Sequence, residues 1–310
     1  MILTVTLNTS IDKAYIINSF EVGKVQRVEE VFATAGGKGL NVARVVKSLG
    51  EDVIATGFVG GYSGEFIKSE LDKEGIKHDF VEVDGETRTC INIINKTTGV
   101  QTELLEPGPL LNMIYQEKFK DKYISLLDRC DVVTISGSMP KGISDNFYAE
   151  LIKLAKDRDK KVILDTSGKY LKEGLKARPT VIKPNRYEAE DIYGKKIKDE
   201  KDIIALMKTF IGDGIEMAAI TLGVEGGYVA TKDDVYRYIP PEVKVKNAVG
   251  SGDAMTAGLA VGINKGYGEV ETIRFAVAIS AANAMTEATG LVYKKDVNDL
   301  LDDVIINKLE

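Results

Sequence analysis

Histidine, cysteine and tryptophan are almost missing from this chain of 310 residues, which has one His, two Cys and no Trp. A single His excludes metal sites built from two or three histidines of one chain, and any Ser-His or Cys-His nucleophile would have to recruit His78. Cys90 and Cys130 stand far apart in sequence and no charged, apolar leader opens the chain. The expectation is a reduced, cytoplasmic protein. No apolar run reaches the roughly 18 residues of a membrane span, so no membrane partner is expected. Basic charge is also short: Lys+Arg number 41 against 47 Asp+Glu, a net charge of −6. With no run of five or more Lys and Arg, this balance argues against a nucleic-acid surface, and an anionic ligand would need local cations. Catalysis must therefore lean on carboxylates, lysines, backbone amides or a soluble metal.

What is present is a regular alternation. Short runs rich in Val, Ile and Thr occur at 2–7, 53–59, 132–136, 162–165, 181–182 and 218–222. Several are apolar on both alternating faces, as in strands of a parallel sheet covered on both sides by helices. Amphipathic stretches at 41–49, 64–75, 146–158, 199–210, 253–264 and 271–286 read as the covering helices. This predicts an α/β chain, in which ligands bind beyond the carboxyl ends of the strands. Two segments depart from the pattern. Residues 13–34 and 87–106 have the period-two alternation of one-sided antiparallel strands, with Thr97-Thr98-Gly99 as a turn. They are expected to form a small sheet standing off the main one, as a lid, a dimer surface or both. Nothing resembling a linker divides residues 1–310, so one domain is expected.

Neither G-x-x-x-x-G-K-[ST] nor a G-x-G-x-x-G after the first strand occurs, which weakens the P-loop and dinucleotide readings. Val249-Gly250-Ser251-Gly252-Asp253 precedes a helix instead. Its glycines open the backbone, and the helix N-terminus turns free amides and the positive dipole end to one point, an anion site. Asp253 on the rim could take a proton from an attacking hydroxyl; the alternative is an Asp decorating the first turn. In Gly36-Gly37-Lys38-Gly39-Leu40-Asn41, the glycines, Lys38 and Asn41 suit a polyhydroxy or charged ligand, with Asn41 as a helix cap the plainer reading. Asp12 could accept sugar hydroxyls or be a turn residue. Asn185 and Glu188 match a capping box; the functional reading puts Lys183 near phosphates and Glu188 on the waters of Mg²⁺. Thr221–Gly227 is a strand and glycine turn able to pass under a nucleotide. Ser138 turns a hydroxyl to the expected cleft. His78 is expected on a surface loop, and Cys130 in the core.

Together, Gly36–Asn41, Lys183–Glu188 and Gly250–Asp253 are far more specific than any one of them. The sequence resembles the ribokinase-like sugar kinases, the PfkB carbohydrate kinase family, over essentially its whole length. Met1–Asn8, Thr34–Val42, Gly85–Cys90 and Gln101–Pro109 liken it to the phosphosugar branch. The resemblance implies a three-layer α/β/α fold with a mostly parallel sheet and a β-lid, which often pairs two subunits. It implies phosphoryl transfer from MgATP to a sugar-phosphate hydroxyl. Asp253 matches the catalytic base, and Gly250, Ser251 and Gly252 the anion hole. Asp12, Gly36, Gly37, Lys38 and Asn41 match sugar-contacting positions. Lys183, Asn185, Thr221, Gly223, Gly226 and Asn283 match nucleotide-contacting positions, and Glu188 the Mg²⁺-linked acid. Arg88 lies where this branch binds the substrate phosphate, with Arg27 and Lys38 as helpers and Cys90 and Ser138 beside it. Thr9 stands where a proline is frequent and Met139 where leucine is common. A silent sugar-phosphate sensor would have no need of the base at Asp253.

Overall fold

A computed structural model describes residues 1–309. The central sheet begins with β1 (Ile2–Thr6), from which the chain leaves to build the first lid strands, β2 (Ser10–Ile17) and β3 (Glu30–Gly36). Helix α1 (Lys38–Ser48) returns it to β4 (Val53–Val59), and α2 (Gly61–Lys73) leads to the short strands β5 (Lys77–His78) and β6 (Val81–Glu82). The second lid excursion is β7 (Arg88–Asn95) and β8 (Gln101–Leu105). Then α3 (Met113–Leu127), β9 (Val132–Ser136), α4 (Phe147–Lys156), β10 (Lys161–Asp165), α5 (Gly168–Leu175), β11 (Val181–Ile182), α6 (Arg186–Tyr193), α7 (Glu200–Gly212) and β12 (Met217–Thr221) follow. The chain closes with β13 (Gly227–Thr231), β14 (Val235–Ile239), α8 (Ser251–Lys265), α9 (Glu269–Ala284), α10 (Lys294–Leu300) and β15 (Ile305–Lys308).

The main sheet runs β15-β14-β13-β12-β11-β10-β9-β1-β4-β5, with β6 also on β4. Strands β5, β4, β1, β9, β10, β11 and β12 are parallel; β13, β14 and β15 add an antiparallel edge. Alternate residues of each inner strand feed two cores. Ile2, Val132, Ile163 and Val181 pack with α1, α8 and α9, while Leu3, Val133, Leu164 and Ile182 pack with α3, α4 and α7. The fold is therefore the expected three-layer α/β/α arrangement, with side-chain alternation setting which core each residue enters.

Helix α8 is buried on almost every side, as a helix rich in Ala and Gly can be. A Cβ at Gly258 would lie 2.5 Å from the Cα of Ala276 in α9, so the two helices touch nearly backbone to backbone. This contact fixes the N-terminus of α8, and with it Asp253, against the sheet.

The lid has the order β3-β2-β7-β8. Its outer pairs are antiparallel as expected, but β2 and β7 run parallel in the register Ser10↔Arg88 to Ile17↔Asn95. The expectation of a purely antiparallel sheet is corrected by topology: both excursions leave the main sheet from carboxyl ends of its parallel strands and so head the same way. Within the expected segment 13–34, residues 20–29 form no strand and are almost wholly exposed. His78 lies not on a surface loop but on the edge strand β5, with its side chain 16% exposed and Nε2 3.2 Å from Asp72 Oδ1. Cys130 is in the core, where burial pushes its thiol up to about 11.

Candidate active site

The carboxyl ends of β1, β9, β10, β11 and β12 converge on the N-termini of α1 and α8. Chain order reverses at β1, whose neighbours are β4 and β9, and this switch point opens the cleft. Gly250 caps α8 in the left-handed region, at φ 83°, where glycine carries no Cβ penalty. A Cβ there would also meet Thr289 Cγ2 at 2.7 Å. The Ser251 amide is already used on Ala248 O, at 3.2 Å. The amides of Gly252 and Asp253 fall in the first turn and have no acceptor four residues back within the helix, the arrangement in which a helix N-terminus can take an anion. Asn283, fully buried, ties this turn down. Its Nδ2 donates to Val249 O and Ser251 Oγ, and its Oδ1 accepts from the Gly290 amide. It reaches the site through the turn it holds.

Asp253 is 6% exposed and accepts from Asn41 Nδ2 at 2.8 Å. Burial pushes its carboxyl up to about 6; Lys38 pulls the other way and Asp165 adds to the rise. A base with that value is ionised at neutral pH yet takes a proton readily.

Beneath it lies a residue that sequence reasoning missed. Asp165, at the end of β10, is 2% exposed and places Oδ1 3.0 Å from Lys38 Nζ. Its Oδ2 is 3.1 Å from Lys183 Nζ and accepts from Thr256 Oγ1 at 3.0 Å. Burial opposes its charge, but Lys183 and Lys38 overcome this and hold the carboxyl below the usual range. In return, Asp165 holds Lys38 above the ordinary lysine value. The available signal was an acidic residue ending a fully buried strand at the functional edge of the sheet.

On the lid side, Asp12 lies on Gly36 so closely that a Cβ there would be 2.1 Å from Asp12 Cγ. Its carboxylate accepts from Ser10 Oγ at 2.6 Å and the Gly37 amide at 3.4 Å. Cys90 is its cross-strand neighbour, buried in β7. Arg88 donates to Glu106 O and Asn8 O at 3.2 and 3.0 Å, while its buried Nε has no partner. Asn8 Nδ2 in turn donates to Ser138 Oγ at 3.1 Å, so Arg88 and Ser138 are joined through a residue not singled out from the sequence. Arg27 is not brought in: it is exposed in the link between β2 and β3 and makes no hydrogen bond or ion pair among the described residues.

On the other side, the capping box is real. Asn185 Oδ1 accepts from the Glu188 amide at 3.0 Å, and Glu188 Oε2 from the Asn185 amide at 2.9 Å. Glu188 stays partly exposed with one oxygen unused, which fits a water-mediated contact to a Mg²⁺ entering with a nucleotide. Among the described residues no cluster of three or more His, Cys, Asp and Glu forms a metal cage. A parallel bridge sets Thr221 beside Asn185. Gly223 and Gly226, at φ 64° and 87°, shape the adjoining turn; a Cβ on Gly226 would strike Tyr238 O at 2.2 Å, whereas Gly223 borders open space.

A glycine-opened cleft with two lysines, an arginine and a buried carboxylate at a helix N-terminus is the equipment of a phosphoryl-transfer enzyme. The chain belongs to the pfkB family of carbohydrate kinases, whose profile matches residues 5–295, and it is an ATP-dependent sugar kinase. It is 39% identical over 307 residues to tagatose-6-phosphate kinase of Staphylococcus epidermidis, with 98% of each chain covered. Phosphofructokinase-2 from Escherichia coli, solved in complex with potassium, superposes with a TM-score of 0.92 at 26% identity, covering 97% of this chain and 98% of that one. A Thermotoga maritima protein described as a possible 1-phosphofructokinase gives 0.89 at 28% identity, with both chains covered completely. No helix among the described residues is long and apolar enough to cross a membrane.

Proposed function

We propose that the chain transfers the γ-phosphoryl group of ATP to the free primary hydroxyl of tagatose 6-phosphate, giving tagatose 1,6-bisphosphate. The observation that carries the reading is Asp253, a buried carboxylate with a raised pKa at the mouth of the α8 amides, in a chain similar end to end to a tagatose-6-phosphate kinase. The sugar lies between Asp12, Gly36, Gly37 and Asn41 with its hydroxyl toward Asp253, and Arg88, assisted by Lys38, takes its phosphate. Lys183, Asn185, Thr221, Gly223 and Gly226 line the nucleotide side, and Asn283 supports it. Gly250 and Ser251 shape the turn that presents the Gly252 and Asp253 amides to the group in transfer. Mg²⁺, reached by Glu188 through water, would neutralise phosphate charge.

Phosphofructokinase-2 and the Thermotoga protein favour fructose 6-phosphate and fructose 1-phosphate as second readings. Coupled ADP release with the three phosphosugars separates them: the highest kcat/KM on tagatose 6-phosphate is expected, and a clear preference for either fructose ester overturns the assignment. Turnover of none would favour a non-catalytic sensor.

Arg88→Ala is expected to raise the phosphosugar KM about 10–100-fold with little change in kcat, since a charged hydrogen-bond donor to a phosphate is lost. An unchanged KM would put the phosphate elsewhere.

The lid is also proposed to pair two copies of the chain. Phe32 and Leu105, 56% and 64% exposed, lie on the lid face shared with Asp12 and Cys90, and apolar area of this kind favours a partner. Sedimentation equilibrium should return a dimer that Phe32→Glu dissociates; a wild-type monomer at every concentration tested overturns it.

A further inference from the structure

Helix α1 carries, one turn beyond Asn41, an arginine that none of the site motifs contains. The Nε of Arg44 donates to both carboxylate oxygens of Glu74, at 2.9 and 3.0 Å, at the end of α2. One terminal nitrogen donates to Asn41 Oδ1 at 3.1 Å and the other to Ala35 O at 2.8 Å. All these bonds lie behind the cleft, and the Arg44 side chain is only 11% exposed.

An asparagine amide has a donor end and an acceptor end, and nothing in its shape decides between them. A guanidinium can only donate, so Arg44 must face the Asn41 carbonyl oxygen. The Asn41 NH₂ group is then left pointing at Asp253 Oδ2, which it meets at 2.8 Å. Glu74 keeps the guanidinium plane in place through a bifurcated bond from the single Nε hydrogen to both its oxygens. The Ala35 contact anchors the same guanidinium to the residue before Gly36 and Gly37, on the sugar side.

We infer that Arg44, held by Glu74, is a positioning residue for the reaction: it fixes the orientation of the Asn41 amide and so keeps a hydrogen-bond donor on the catalytic carboxylate of Asp253. The inference rests on the reading of Asp253 as general base. Without Arg44 the Asn41 amide is free to rotate, and its carbonyl oxygen facing Asp253 would disfavour the ionised base. The charged groups that face Asp253 are Lys38 from α1, Asp165 from β10 and Lys183 beyond β11. None of them contacts Arg44, so its removal leaves their contributions in place.

The test is the pH dependence of kcat and kcat/KM with MgATP and whichever of the three phosphosugars turns over, for Arg44→Met, Glu74→Gln, Asn41→Ala, the Asn41→Ala/Arg44→Met double variant and Asp253→Asn. In Arg44→Met the acid limb should move up by about one pH unit, costing about eightfold in rate at pH 5.5 and about twofold at pH 7. KM for MgATP should stay put. Glu74→Gln should move the limb the same way by less. In the double variant the limb should lie where Asn41→Ala alone puts it, because Arg44 acts through Asn41. An unmoved limb in Arg44→Met, or additive shifts in the double variant, would overturn the inference while Asp253→Asn still abolished turnover. Near-normal turnover and an intact acid limb in Asp253→Asn would instead overturn the base assignment itself. Should Arg44→Met not fold, Glu74→Gln alone and combined with Asn41→Ala supplies the same cycle.

Discussion

Asp253→Asn is expected to lower turnover about 10²–10⁴-fold, the usual worth of a general base, and to make the protein harder to unfold. Both effects have one origin. The carboxyl is buried, and burial lifts it from the ordinary Asp value of 3.8 to about 6 in the folded protein. Between those values the native state binds more proton than the unfolded chain. The stability tied to the protonated form is then fully present below about pH 4 and lost as pH rises through 6. At neutral pH the ionised carboxylate costs about 2–3 kcal/mol, an upper figure because Asn41 and the two lysines share its field. Asparagine keeps the shape and can still accept from Asn41 Nδ2 without the charge. Urea unfolding at pH 7.5 should show the variant more stable than wild type, with the difference vanishing near pH 4. Equal stability at both pH values, or turnover close to wild type, would remove Asp253 from its role.

Asp165→Asn has the opposite signature on stability and a comparable one on activity. Wild-type Asp165 is shared by two ammonium groups, and Lys183 is as buried as its partner, at 5% exposure. Removing one charge of a buried pair leaves the other uncompensated, which costs about 3–5 kcal/mol, less here because Lys38 lies at the cleft rim, 41% exposed. With their anchor gone, both lysines lose the placement that the proposed function needs for phosphate binding, and turnover should fall about 10²-fold or more. The sign of the pH effect tells this from a loss of folding. Asp165 raises the pKa of Asp253 while Lys38 and Lys183 lower it, so without Asp165 the residual activity should have its acid limb at lower pH than wild type. A limb that stayed in place, in a folded protein, would mean the three charges do not share one field.

Much of this was legible in sequence where local rules suffice. Val53–Val59, Val132–Ser136 and Val181–Ile182 coincide with observed strands because apolar residues on both faces leave no place for them but the middle of a covered sheet. Asn185 and Glu188 announced a capping box that the structure contains, since its chemistry lies within four residues. The glycine clusters were visible because positive φ and close approach leave few other residues admissible. What escaped depends on distance along the chain. Asp165 looks like an ordinary strand end until Lys38 and Lys183, from α1 and the end of β11, arrive on its two oxygens. Arg44 looks like the polar face of a helix until α2 brings Glu74. Strand β13 is buried on both faces, but Gly227, Tyr228 and Thr231 break up its apolar run, and β14 and β15 leave residues exposed, so only the turn before β13 stood out. The parallel β2–β7 pair could not be read from alternation, which is the same in either direction.

That pair has a consequence for how the molecule comes into being. A hairpin such as β7–β8 closes through a few residues, but Ser10 cannot meet Arg88 until β4, α2 and the intervening chain have found their places. Closing so long a loop costs entropy before any contact repays it. Joining the lid into one sheet therefore comes later than forming either of its hairpins, β2–β3 and β7–β8. Each hairpin can close by itself, and the two become one surface only once β1 and β4 have paired and set them side by side.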